Sequence, residues 1–324
     1  MASPAEWSFT PLPAFAPTVF PNIAEWSFTP LPAFAPTVFP NIALWDVSNA
    51  VKNLTYQVQI SWPFEWESRE VTDKSALTMY VLDGNALGMT ASEAIKRRKF
   101  IYPNQPDSVV VSVGYPLSDA VYDVARRTAD YLPPLPDNEG RADDFLAFLG
   151  DVLQPWVRGE VFPGVAHARD ALFGHSLGGL FVAYAFVQEP ALFDTFVAAS
   201  PAVAWNKASV LEDITRRFGD GISGGSEEAG GGGGGDGTKP AMFIGYGSGE
   251  QFPVRGRTET EVQFQARKAL WDWTRITEAS YEFYDRVRAG TGTREVVLRE
   301  YVGQEHSGVA GSVLTDGINY FFDW

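Results

Sequence analysis

Residues 170–186, DALFGHSLGGLFVAYAF, contain a G-x-S-x-G pattern with Ser176 at its centre. The short apolar run ALF precedes the pattern, and an apolar helical pattern that stops at Pro190 follows it. Between a strand and a helix, such a turn lifts the serine Oγ above the sheet edge, and the glycines leave room where a Cβ would clash. Ser176 is therefore predicted to be a nucleophile, and an ordinary serine in a strand–helix turn is the alternative.

A second G-x-S-x-G match, with Ser223 at its centre, occurs at residues 221–225. It has no apolar run before it and no helical pattern after it, and a run of six glycines follows shortly afterwards. Because the structural context defines the motif, we interpret this second match as a chance occurrence.

A serine nucleophile needs a base to take its proton and an acid to orient that base. In hydrolases of this sheet type the chain order is serine, acid, histidine. His167 and His175 precede Ser176, whereas His306 follows the last predicted strand in YVGQEHSGVAG. His306 is the predicted base, and His175 is interpreted as a residue of the pocket wall.

The acid is expected at the same sheet edge, after the strand AMFIGYG. Glu250 is the first carboxylate that follows this strand. An alternative is that no acid is needed and that Glu250 only binds a loop amide.

Two backbone N–H groups are needed to stabilise the negative charge that develops during acyl transfer. The first is predicted to be the N–H of Leu177, directly after the nucleophile. The second is predicted in the loop DGNALG after the strand MYVL, at Gly84 or Asn85.

Arg126 and Trp205 are candidates for contacting the substrate. Arg126, in RRTADYLPP, could hold an anionic substrate, or an Arg–Asp pair in this segment could fix a loop. Trp205 follows the strand TFVAAS and could line the pocket or pack in the core.

The composition narrows the class of protein. A net charge of −15 over 324 residues argues against nucleic acid or an anionic membrane as the main partner. The absence of cysteine excludes disulfides, thiolate metal sites and a cysteine nucleophile. No signal peptide and no apolar stretch of membrane-spanning length is evident. We expect a cytoplasmic protein without a metal or cofactor, and its oligomeric state is open.

The elements that must position these residues alternate along the chain. Seven strand-like runs are separated in several places by helical patterns, which predicts an α/β fold with a mostly parallel sheet and helices on both faces. The first run, LTYQVQISW, alternates polar and apolar residues, as expected for an antiparallel edge strand. The last helical pattern, residues 257–287, reads as one long helix.

Two irregular segments flank or interrupt this α/β domain, which is predicted at residues 44–324. Residues 1–43 are proline-rich and contain nineteen residues repeated letter for letter, from Ala5 and again from Ala24. This segment is predicted to be largely disordered, and the alternative for one copy is an extended arm along the domain. Residues 219–239 are predicted to be a disordered glycine-rich insertion.

Seven motifs occur in the order seen in α/β-hydrolases of the siderophore esterase group: MYVLDGNAL, VVVSVGYP, ARRTADYLPP, ALFGHSLGGLF, AASPAVAW, FIGYGSGEQ and QEHSGV. The chain resembles this group, which includes the IroE-like and ferric enterobactin esterases and, more distantly, esterase D. The resemblance spans roughly residues 44–320. It implies Ser176 as nucleophile, His306 as base and Glu250 at the acid position, although some members use serine and histidine alone.

The resemblance further implies a hydrolase that cuts the backbone esters of an iron chelator through an acyl-enzyme, with a siderophore, in its ferric or its iron-free form, as its small-molecule partner. A general carboxylesterase is the alternative within the same chemistry. A non-catalytic binding protein with a hydrolase fold is the alternative from another class. An acyltransferase is a third reading, because the sequence does not distinguish water from an alcohol as acceptor.

Overall fold

The computed structural model describes residues 26–30, 41–116, 120–135, 140–219 and 239–323. The chain divides into two compact units, Met1–Asp170 and Ala171–Asp323. The first copy of the N-terminal duplication and nearly all of the predicted glycine-rich insertion lie outside the described residues. The predicted boundary at residue 44 stays a prediction.

Among the described residues, the first unit contains strands β1 to β5, in the order β1-β2-β3-β5-β4. Their bounds are β1 Trp26–Pro30, β2 Ile42–Asn49, β3 Leu54–Ser61, β4 Lys74–Leu82 and β5 Asp107–Gly114. The pairs among β1, β2, β3 and β5 are antiparallel, whereas β4 and β5 are parallel. The crossover between β4 and β5 is helix α1, Gly84–Ile101.

Further helices of the first unit follow β5. They are α2 Val124–Tyr131, α3 Ala142–Ala147 and α4 Gln154–Trp156, with π-helical stretches at Phe148–Leu153 and Val157–Val161. Strand β6, Val165–His175, begins in this unit and ends in the second.

The second unit contains a parallel sheet in the order β6-β7-β8-β9. Its elements after β6 are α5 Leu177–Gln188, β7 Thr195–Ala199, α6 Trp205–Phe218, β8 Ala241–Gly247, α7 Glu261–Thr274, α8 Ile276–Ala289, β9 Glu295–Tyr301 and α9 His306–Phe322. The residues of β7 and β8 are all buried, which fits central strands covered on both faces. Helix α9 packs against both strands and so fixes the position of its own first residue, His306.

The predicted α/β class with a mostly parallel sheet and flanking helices is confirmed. The predicted strands AMFIGYG and EVVLREY coincide with β8 and β9. The run ALF is only part of the much longer β6.

The edge position predicted for the first run is wrong. Strand β3 is antiparallel as expected, but it lies between β2 and β5. The edge is taken by β1, which comes from the second copy of the duplicated segment. Trp26 of β1 packs on Phe148 at 4.7 Å between ring centroids, and Phe28 stacks on Trp156 at 4.2 Å. These aromatic contacts bury Trp26 and Phe28, the inward residues of β1.

The single long helix predicted for residues 257–287 is also wrong. Two helices, α7 and α8, meet at Arg275, whose φ of 48° and ψ of 40° are left-handed. One left-handed residue interrupts the hydrogen-bond ladder and changes the direction of the helix. No helix among the described residues is long and apolar enough to cross a membrane.

Candidate active site

Ser176 lies in the sharp turn between β6 and α5. Its φ of 60° and ψ of −115° are unusual for a residue other than glycine. Such backbone strain persists only where the surrounding structure enforces it, and it often accompanies function. The strand–turn–helix context predicted around Ser176 is therefore present.

The strained turn is held by β7 and by the residues that follow it. The Ser176 N–H donates to the Ala199 carbonyl at 2.9 Å, and the Ser176 carbonyl accepts from the Ala202 N–H at 3.1 Å. A Cβ at Gly174 would lie 2.2 Å from the Gly178 carbonyl oxygen. A Cβ at Gly179 would lie 2.8 Å from Pro201 Cα. The glycines are thus required by close backbone approach on both sides of Ser176.

Glu250 is fully buried and bonded through both carboxylate oxygens. One oxygen accepts from the Ser200 hydroxyl at 2.7 Å and from the Gly247 N–H at 2.6 Å. The other makes a short hydrogen bond with His306 Nδ1. Among these contacts of Glu250, the imidazole of His306 is the one donor that can carry a positive charge.

The loops that carry Glu250 and His306 are bonded to each other. The Gly249 N–H donates to the Gln304 carbonyl at 3.0 Å, and the Ser248 N–H donates to the Tyr301 carbonyl at the same distance. A Cβ at Gly247 would lie 2.3 Å from the Gln304 carbonyl oxygen. Close contact between the two loops thus sets the relative position of the carboxylate and the imidazole.

Two aromatic rings lie against the imidazole of His306. The ring centroid of His175 is 4.4 Å away, and that of Trp271, on α7, is 4.5 Å away. His175 is buried and directly precedes Ser176 in the chain, and its place in the pocket wall stays a prediction. The His306 side chain itself is 16% exposed, so solvent reaches it in part.

The three amides predicted for the oxyanion hole all lie in the first turn of a helix. Leu177 is the first residue of α5, and Gly84 and Asn85 are the first two residues of α1. First-turn N–H groups have no intrahelical acceptor, so they are available to an anion. The Asn85 side chain is engaged: it donates to the Tyr115 carbonyl and accepts from the Tyr115 N–H, both at 2.8 Å.

Arg126 is anchored within the first unit. Its guanidinium donates to the Thr55 carbonyl and lies 4.7 Å from the ring centroid of Tyr115. The neighbouring Arg127 makes a bidentate ion pair with Asp83, both bonds 2.8 Å long. An Arg–Asp pair is thus formed by Arg127, and its partner Asp83 lies outside the segment RRTADYLPP.

Trp205 is the first residue of α6 and is partly buried. The three residues that follow it, from Asn206 to Ala208, are all left-handed, so the chain turns sharply directly after the indole.

Sequence reasoning missed Ser200 and did not assign Trp271 to the site. Ser200 follows β7 directly, has a φ of 42° and holds Glu250. Its place at the carboxyl end of a parallel strand was a usable signal. Trp271 had no such signal, because its contact with His306 depends on how α7 packs.

No group of three or more potential metal-ligating His, Cys, Asp or Glu side chains occurs within the described ranges. The groups available for chemistry in the second unit are the Ser176 hydroxyl, the His306 imidazole bonded to the buried Glu250 carboxylate, and the first-turn N–H of α5. These features, on a parallel sheet with flanking helices, define an α/β-hydrolase.

Comparison with known proteins gives the family. The Esterase family model matches residues 48–290, and the chain belongs to this family. It is a carboxylic ester hydrolase.

The chain is 36% identical over 283 residues to the siderophore enterobactin esterase of Emericella nidulans, covering 83% of this chain and 90% of that relative. It is 32% identical over 273 residues to the siderophore triacetylfusarinine C esterase of Aspergillus fumigatus, covering 83% and 89%. The solved structure of the siderophore hydrolase EstA from Aspergillus nidulans superposes with a TM-score of 0.78 at 34% identity, covering 90% of this chain and 98% of that one.

Proposed function

We propose that Ser176 is the nucleophile of this esterase, that His306 is its general base and that Glu250 orients His306. The observation that supports this most directly is the hydrogen bond between His306 Nδ1 and the buried Glu250 carboxylate. An ionised carboxylate can only accept, so Nδ1 carries the proton and Nε2 presents the basic lone pair.

In the proposed reaction Nε2 takes the proton of the Ser176 hydroxyl as Oγ attacks the ester carbonyl. The tetrahedral oxyanion accepts hydrogen bonds from the Leu177 N–H and from the N–H of Gly84 or Asn85. The imidazolium then protonates the leaving alkoxide, which leaves an acyl-enzyme. Water, activated by the same imidazole, releases the acid and restores Ser176.

The substrate that we propose is a siderophore whose units are linked by backbone esters. Two relatives that match over most of this chain are named for such substrates, enterobactin and triacetylfusarinine C. We assign contacts with this substrate to His175, Arg126 and Trp205. We further propose that the reaction takes place in the cytoplasm.

The nucleophile is tested by labelling the protein with a fluorophosphonate, which reacts only with an activated serine. We expect the wild type and Ser223→Ala to label equally and Ser176→Ala not to label. The Ser223 variant is the matched control, because it removes the serine of the other G-x-S-x-G match. Labelling of Ser176→Ala would contradict the assignment.

The substrate class is tested by comparing kcat/KM for a cyclic triester siderophore with that for p-nitrophenyl butyrate, corrected for the activated leaving group. Remote parts of a cognate substrate contribute binding energy that positions the scissile ester, so the siderophore should raise kcat. Equal or lower values for every siderophore, with good turnover of small unactivated esters, would indicate a general carboxylesterase.

A further inference from the structure

A cavity of about 240 Å³ lies in the first unit, between the end of β3, one face of α1 and the residues that lead into β5. Its lining includes Trp62, Phe64, Ile95, Lys96, Phe100 and Asp107. Asp107 is the first residue of β5, which runs parallel to β4. The cavity therefore lies at the amino ends of these two strands, whereas Gly84 and Asn85 follow the carboxyl end of β4.

Lys96 brings a partly buried positive charge into this cavity. Its Nζ donates to the Trp62 carbonyl at 3.1 Å and lies 4.7 Å from the ring centroid of Phe64. Burial lowers the pKa of Lys96 to about 8, and the charge of Glu65 opposes this shift. The Glu65 carboxylate also lines the cavity, but within the described part of the chain it forms no ion pair with Lys96, and Asp107 is paired with Lys99. A carbonyl and an aromatic face compensate a buried ammonium only in part.

Lys99, the second lysine of the cavity, is in a different situation. Its Nζ donates to the Gln105 carbonyl at 2.8 Å and to the Asp107 carboxylate at 3.3 Å. Asp107 also accepts from the indole N–H of Trp66 at 2.9 Å. The charges of Lys99 and Asp107 are thus balanced by each other, whereas the ammonium of Lys96 is compensated only in part, by the charge of Glu65 in the same cavity.

The rim of the cavity is aromatic and open to solvent. Phe100 is 89% exposed and Phe64 is 48% exposed, although both are large apolar side chains. Exposed apolar side chains that adjoin one another often mark a binding site. Because pockets for drug-sized ligands measure about 300–1,000 Å³, this cavity suits a ligand of one or two rings.

We propose that this cavity binds a small aromatic carboxylate, with its carboxylate on Lys96 Nζ and its ring between Phe64 and Phe100. The carboxylate supplies the directly hydrogen-bonded anion that Glu65 does not provide to Lys96, and the ring covers apolar surface that is otherwise in water. Binding here involves none of the residues to which we assign catalysis.

The test is a calorimetric titration of the full chain with benzoate, and with benzamide as a neutral ligand of nearly the same shape. We expect benzoate to bind saturably and benzamide to bind roughly tenfold more weakly or worse, since a charge-assisted hydrogen bond is lost. Lys96→Met should weaken benzoate binding by a similar factor. Lys74→Met, which removes an exposed lysine outside the cavity, should leave it unchanged.

Benzoate affinity should also fall as the pH rises from 7 to 9, because the ammonium of Lys96 loses its proton in this range. Equal affinity for benzoate and benzamide would overturn the proposal, and this comparison uses the wild type and needs no variant to fold. Unchanged benzoate binding by Lys96→Met would place the ligand elsewhere, and absence of saturable binding would show that the cavity takes no such ligand. Both outcomes contradict the proposal.

Discussion

Two histidines of this chain, His167 in the first unit and His306 in the second, differ in the group that lies within hydrogen-bond distance of Nδ1. His167 Nδ1 is 2.7 Å from the Thr78 hydroxyl, whereas His306 Nδ1 is bonded to the Glu250 carboxylate. Burial, with the nearby Arg158 guanidinium, lowers the pKa of His167 to about 4. Burial and a neighbouring positive charge thus disfavour a proton on His167, whereas the hydrogen-bond partner of His306 is a carboxylate.

The two rings also differ in the surroundings of Nε2 and in exposure to solvent. Nε2 of His167 is buried and has no hydrogen-bond partner among the described residues. His306 is partly exposed, at the edge of the sheet where Ser176 also lies. Of these two rings, only His306 has a carboxylate partner and a partly exposed side chain, the combination that the proposed general base needs.

Replacing each histidine is expected to give the largest contrast. His306→Ala should lower kcat by about 10⁶, the usual loss when a triad loses its base. His167→Gln should change kcat by less than about threefold, since its amide can still bond to Thr78 and it carries no catalytic role. Steady-state ester hydrolysis by both purified variants measures this contrast, and a large loss of kcat in His167→Gln would remove it.

The carboxylate beneath His306 is expected to give the next largest effect. Glu250→Gln keeps a side chain that can bond to Ser200 and to His306, but it cannot stabilise the imidazolium and permits the wrong tautomer. We expect kcat to fall by up to about 10⁴, less than for His306→Ala.

The control for Glu250→Gln is its far-ultraviolet circular dichroism and unfolding curve, which show whether the buried amide is tolerated. A folded variant with wild-type kcat at every pH would mean that serine and histidine act without an acid.

Local pattern predicted those elements whose sequences carry their own signal. The strands β8 and β9 are short apolar runs between turn residues, and their bounds were predictable. The class of fold followed from the alternation of strands and helices. Chain order was also sufficient to select Glu250 and His306, which the structure joins by a hydrogen bond, although their roles stay predictions.

Elements that depend on distant contacts could not be predicted in this way. Strand β1 contains proline and belongs to a segment that occurs twice in the chain. It is held by the rings of Phe148 and Trp156, which lie more than a hundred residues further along the chain. The break at Arg275 has neither glycine nor proline to announce it. The contacts of Ser200 with Glu250 and of Trp271 with His306 likewise arise only when the elements pack.

His167 is expected to make the free energy of unfolding depend on pH. The folded pKa of about 4 lies below the usual 6.5, so below pH 6.5 the unfolded chain binds a proton that the folded chain does not. The contribution of neutral His167 to the free energy of unfolding is therefore complete above pH 6.5, and it is lost as the pH falls towards 4. This shift corresponds to about 3 kcal/mol of unfolding free energy.

Urea denaturation of the wild type and of His167→Gln, at several pH values between 4 and 7, measures this dependence. We expect the difference between the two proteins to shrink or reverse as the pH falls, because the variant has no proton to exclude. Parallel curves over the whole range would show that His167 titrates normally in the folded protein.

The smallest expected effect comes from the aromatic ring beside His306. Two tryptophans on α7 test how far this ring helps to position the imidazole. The Trp271 ring centroid lies 4.5 Å from that of His306, whereas Trp273, on the same helix, is 67% exposed. No residue of α7 is buried, so loss of the Trp271 ring should disturb the imidazole more than the fold.

Aromatic pairs contribute about 0.5–1.5 kcal/mol beyond the burial of area. We therefore expect Trp271→Ala to lower kcat about three- to tenfold, with partial recovery in Trp271→Phe, whose ring still covers one face of the imidazole. Trp273→Ala is the matched control and should retain wild-type kcat. Because a positioning contact acts on the reacting geometry, the loss should appear in kcat with both a siderophore and a small ester. A change confined to KM for the siderophore would instead make Trp271 a substrate contact, and equal effects of both alanine variants would point to the helix as a whole.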